Sequence, residues 1–167
     1  YSEGAHINIL NALIDSNLNQ EIGYGEDSFC EEAKIIIKEQ IKNKDAHIHF
    51  VSGGTQANLI IISSVLRPHE AIIAASTGHI NVHETGAIEA TGHKICTIET
   101  EDGKLTVNHI KEVLMSHESE HMVKPKMVFI SNTTELGTIY KKEELQEIVE
   151  FLKTQTKTSN NNDYKKH

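Results

Sequence analysis

The sequence has no tryptophan, two prolines, two cysteines and a single arginine, and aromatic residues make up only 5% of it. Cys30 and Cys96 lie far apart and form no CxxC pair, so no disulfide framework is indicated. A reducing, cytoplasmic setting with two ordinary buried thiols is expected. The shortage of aromatics, a formal net charge of -8 and the lack of a basic stripe exclude a nucleic-acid surface. No apolar run is long enough to span a bilayer, so membrane insertion is not expected. The lone arginine, Arg67, stands immediately before Pro68. There it closes a helix and does not form the guanidinium clamp that recognition of a carboxylate favours. Neither GxGxxG nor GxxxxGK followed by Ser or Thr occurs, which leaves dinucleotide and Walker-type sites poorly supported.

What is present fits one compact domain: 167 residues, 38% hydrophobic and 24% charged. Periodicity predicts helices over 6–16, 27–42, 55–66, 82–91, 107–120 and 142–153, and strands over 46–51, 71–76, 94–98 and 126–131. Such alternation implies an α/β layer, a mostly parallel sheet with flanking helices. The domain is expected to occupy 1–153, followed by a polar string, TQTKTSNNNDYKKH over 154–167, with the composition of a disordered tail. The chain opens at Tyr1 without Met or a charged and apolar leader, and an N-terminal truncation or incomplete gene model is expected.

The most informative stretch is VSGGTQANL, residues 51–59. It reads as a strand entering a glycine turn and then a helix. Gly53 and Gly54 permit close approach of a ligand, Thr55 offers a cap-like hydroxyl, and the first helical amides favour an anion such as phosphate. A plain strand-to-helix turn is the competing reading of the same residues. Ligands of parallel sheets sit at the carboxyl ends of strands. Three predicted strand ends, at GGTQAN, at 76–79 and at 131–134, converge on short polar residues.

His79 and His83 are four residues apart with Glu84 beside them, so on one continuous helix they could share a metal. The pattern is not HExxH and no third ligand is evident, so no metal site is assigned. Most of the 11 histidines read as solvated or capping groups. His79 differs because it follows Thr77 and Gly78 just past a strand end, where an imidazole can lie flat against a planar ligand.

Taken together, YGED (24–27), GGTQAN (53–58), GHINVHETGA (78–87) and SNTTELGTIY (131–140) resemble the N-terminal half of threonine aldolases, within the aromatic amino-acid beta-eliminating lyases. The order and spacing match over nearly all of 2–153. The resemblance implies a partial large domain of the fold type I pyridoxal phosphate-dependent transferase fold, with a homotetrameric full-length protein. It implies pyridoxal phosphate as cofactor, its phosphate held at Gly54, Thr55 and Gln56 and its ring stacked on His79. It further places Ser2 near the substrate carboxylate and Tyr24 near the active site. Thr134 stands where many members carry His. The lysine that holds the cofactor as an imine, and the acid of a DGAR motif, fall in that family beyond the point where this sequence turns into its polar tail. Catalytic His79 is therefore expected without its imine lysine, and the chain alone is expected to be inactive. The implied reaction is cleavage of a β-hydroxy amino acid such as threonine to glycine and an aldehyde. The alternative is a non-catalytic remnant that binds cofactor weakly or pairs with a full-length subunit. A domain cut short in this way is also expected to leave apolar faces uncovered and to be poorly stable alone.

Overall fold

The structure, a computed structural model, describes residues 3–163, with side chains described through Gln155. The chain forms two compact units, 1–52 and 53–167.

The first unit holds α1 (Ile7–Ser16) and α2 (Ser28–Gln40). Side-chain caps start both helices: His6 Nδ1 accepts from the Asn8 amide at 3.2 Å, and the Asp27 carboxylate accepts from the Cys30 amide at 2.8 Å. That contact lowers the Asp27 pKa and raises that of Cys30. No residue of either helix is buried. The strand expected over 46–51 is not formed. Alternation of side chains is only half of a strand; the other half is a neighbouring backbone to pair with, and the segment has none in the sheet.

The second unit is built on a three-stranded parallel sheet of order β2-β1-β3, from β1 (Glu70–Ala75), β2 (Ile95–Ile98) and β3 (Lys124–Val128). Its helices are α3 (Gly54–Val65), α4 (His79–Val82), α5 (Val107–Ser116) and α6 (Lys142–Asp163). β1 is central, and all of Ala71 to Ala75 are buried, as expected of a parallel strand covered on both faces. Ala71, Ile73 and Ala75 pack with Cys96, Leu105, Ile110, Val113, Tyr140 and Ile148. Ile72 and Ala74 pack on the opposite face with Ile62, Leu66, Ile80 and Ile88. Each fully buried isoleucine contributes roughly 1.5–3 kcal/mol. The β1–β3 register slips after Ala71↔Pro125 to Ile72↔Met127, leaving Lys126 as an extra residue beside a proline that has no N–H to give.

Two expected helices come out differently. The single helix expected over 82–91 is replaced by α4, an irregular segment and a 3-10 turn at Glu89–Thr91. Thr85 and Gly86 lie between them at φ 53° and 73°, conformations an α-helix does not accommodate. At the other end, α6 runs through Asp163, past the expected stop at Lys153 and into the polar string read as a disordered tail. Residues 164–167 of that string lie outside the described residues.

Candidate functional site

α3 begins at Gly54 behind Gly53, which has an extended backbone and supplies no side-chain cap. The first intrahelical bond at this end runs from the Ala57 amide to the Gly53 carbonyl, so the amides of Gly54 and Thr55 precede the helical ladder. A Cβ built at Gly53 or Gly54 would meet nothing within 4 Å, so the backbone is open to an approaching group. The strand expected to lead into this turn is missing. The strand-end positions that the structure does provide are those following β1 and β3.

Past the end of β1, the chain turns at Gly78 into α4. A Cβ at Gly78 would lie 2.9 Å from the Ala75 carbonyl oxygen, which requires glycine here. The turn delivers His79 as the first residue of α4, and His83 caps the helix at its other end. The two imidazoles have centroids 5.6 Å apart and planes tilted by 57°. His83 reaches outward to Glu135 at 3.6 Å. Among the described residues no group of three or more His, Cys, Asp or Glu could hold a metal ion.

The contacts of His79 run inward. Its Nδ1 lies 3.0 Å from Glu84 Oε1, and the same oxygen accepts from Asn58 Nδ2 at 2.6 Å. The Glu84 side chain is fully buried, whereas that of His79 is 42% exposed. Glu84 Oε2 is buried with no partner. Asn58 is on α3, four residues after Gly54, or about 6 Å along the helix axis. One carboxylate thus ties the helix that follows the glycine turn to the segment that presents His79. Sequence reasoning placed Glu84 only as a neighbour of two histidines and gave Asn58 no role. Their pairing spans 26 residues and has no periodic signal.

Beyond β3, Thr134 is buried and organises its loop. Its Oγ1 lies 2.7 Å from Thr138 Oγ1 and accepts from the Thr138 amide at 3.2 Å, while Thr138 Oγ1 donates to the Asp102 carbonyl at 2.6 Å. A small recess at these strand ends is lined by Thr77, Gly78, Gly103, Thr134 and Tyr140. A larger cavity of about 620 Å³, lined by residues including Ile110, Leu114, Lys124 and Leu152, contains none of the expected site residues.

Tyr24 is in the first unit, fully exposed and at φ 67°. Ser2 lies outside the described residues. The lysines with described contacts are committed elsewhere: Lys34 to Glu31, Lys104 to Glu144 and Asp102, and Lys111 over the Phe151 ring.

Comparison with known proteins places the chain in a family. The beta-eliminating lyase family model matches residues 8–158. The low specificity L-threonine aldolase of Pseudomonas aeruginosa is 30% identical over 139 residues, spanning 82% of this chain and 40% of that protein. The corresponding enzyme of another Pseudomonas strain is 32% identical with the same coverage. The structure of Leishmania major threonine aldolase superposes with a TM-score of 0.91 at 53% identity, covering 93% of this chain and 45% of that one. The chain therefore spans less than half the length of these relatives. From the matched residues and the shared fold, this chain belongs to the beta-eliminating lyase family, whose proteins are pyridoxal phosphate-dependent lyases.

Proposed function

We propose that this chain is a portion of a pyridoxal phosphate-dependent lyase that cleaves β-hydroxy amino acids such as threonine to glycine and an aldehyde. The observation that carries the reading is the Asn58–Glu84–His79 contact, which joins the open N-terminus of α3 to an exposed imidazole. The residues fit the cofactor. A helix start whose N-cap is a glycine, with no atom in the way of Gly53 or Gly54, suits a phosphate, and a partly exposed imidazole suits an aromatic ring.

In this reading the amides of Gly54, Thr55 and Gln56 bind the phosphate, and their positive helix end complements its charge. His79 lies against the ring and limits where it can sit. Asn58 and Glu84 hold His79 in place. The cofactor supplies an electron sink for breaking the bond between Cα and Cβ of the substrate. The lysine that anchors the cofactor, and the substrate contacts that accompany it, come from outside this chain, which is inactive by itself. Ser2 and Tyr24 are assigned to the substrate side, and the working assembly is a homotetramer in the cytoplasm.

The test is to isolate the native polypeptide with an antibody against residues 79–94, weigh it, and assay glycine release from threonine. A species about twice this length that releases glycine is expected. A species of this length that neither binds pyridoxal phosphate nor releases glycine would overturn the proposal.

A further inference from the structure

Glu84 is fully buried in its side chain, yet it belongs to neither apolar cluster of the core. Burying a carboxyl group is unfavourable unless its oxygens are used, and only Oε1 is used here. Oε1 receives a hydrogen bond from Asn58 Nδ2 at 2.6 Å, which makes this oxygen an acceptor. The same atom lies 3.0 Å from His79 Nδ1. Facing an ionised Glu84, or one protonated at Oε2, Nδ1 must carry the proton; only a proton on Oε1 itself would reverse the bond. The hydrogen bond made by one ring nitrogen decides the state of the other. No hydrogen bond engages Nε2 among the described residues.

We propose that Glu84 is a positioning residue that locks neutral His79 in its Nδ1–H tautomer, with Asn58 fixing the carboxylate. The imidazole then presents Nε2 as a bare acceptor on its exposed side, able to take a hydrogen bond or a proton from a bound molecule. Without Glu84 the ring would be free to turn and would carry its proton mainly on Nε2, the form free imidazole side chains favour, which offers a donor in place of an acceptor. His83 makes no hydrogen bond to Glu84 or to the His79 nitrogens; its ring lies 5.6 Å from that of His79 and its Nε2 faces Glu135. The meaning of this for a ligand rests on His79 being a site residue. The tautomer itself is read without ligand, so its failure and the failure of the cofactor reading are separate results.

The test is ¹⁵N NMR of the imidazole rings in the full chain, at a pH high enough that the His79 signals have stopped titrating, with His79 identified by the loss of its signals in His79→Asn. The wild-type ring is expected to show a protonated Nδ1 and an unprotonated Nε2. Glu84→Ala is expected to reverse that pattern, and Glu84→Gln, whose side-chain carbonyl still accepts, to restore it. His83→Ala is expected to leave it unchanged. A wild-type ring protonated on Nε2 would overturn the proposal whether or not any variant folds, and so would a folded Glu84→Ala with wild-type ring shifts.

Discussion

Gly54→Val separates binding from folding at the start of α3. A Cβ at Gly54 meets no atom within 4 Å, and the residue lies in helical conformation, so valine fits without displacing anything. Valine is a slightly better helix former than glycine, by roughly 0.3–0.5 kcal/mol in a helix interior, so the unliganded variant should melt within about 2 °C of the wild type. The same side chain fills the space above the first amides that a phosphate needs. At a hundredfold excess over its dissociation constant, a ligand stabilises the folded state by about 2.7 kcal/mol. For a chain of this size that is a rise in Tm of about 5–11 °C. The assay is thermal unfolding with and without pyridoxal phosphate. Wild type and His83→Ala should show the rise, and Gly54→Val should not. A full rise in Gly54→Val would refute the placement of the phosphate, and equal losses in Gly54→Val and His83→Ala would refute the site assignment.

Tyr140→Phe removes the hydroxyl that accepts from the buried Leu105 amide at 2.5 Å, and should destabilise by about 1–3 kcal/mol in urea unfolding; a change below about 0.5 kcal/mol would contradict the assignment. Burial raises the Tyr140 pKa, so the hydroxyl should ionise above the usual tyrosine range and the fold should lose stability as pH rises through that raised value; tyrosinate absorbance of wild type against Tyr140→Phe checks this. The Lys104 hydrogen bond lowers the Glu144 pKa, so the stabilisation it brings is present above the ordinary glutamate range and is lost as pH falls through the lowered value. The Tm difference between wild type and Lys104→Met should accordingly vanish in acid, and a difference that persists there would rule out this linkage. Ile110→Ala, at a fully buried position on α5, should destabilise by about 2–5 kcal/mol by the same urea measurement, and a loss under 1 kcal/mol would mean the α5 face is not a packed core.

The elements most legible in the sequence are those whose apolar pattern is local. The strand expected at 71–76 appears as β1, one residue earlier, because an unbroken apolar run between helices has few other fates. α2 and α5 begin within a residue of where periodicity put them, and Asp27 and Thr106 cap their first turns. The segment 46–51 misled because alternation shows which side chains could share a face but not whether a partner strand exists. The helix expected at 82–91 failed at Thr85–Gly86, where both residues take a positive φ that apolar periodicity does not report. Within the candidate site, GGTQAN and His79 stood out by motif and position. The Glu84 link between them did not, because a buried carboxylate joining residues 58, 79 and 84 depends on how α3 packs beside β1, which no short window of sequence encodes.

The central claim is that the start of α3 and His79 form one cofactor cradle. A crystal structure of the chain with pyridoxal phosphate bound tests it most directly. The account predicts the phosphate within hydrogen-bond distance of the Gly54 and Thr55 amides and the pyridine ring against the His79 imidazole. A phosphate seated elsewhere, or a ring that leaves His79 untouched, would contradict it.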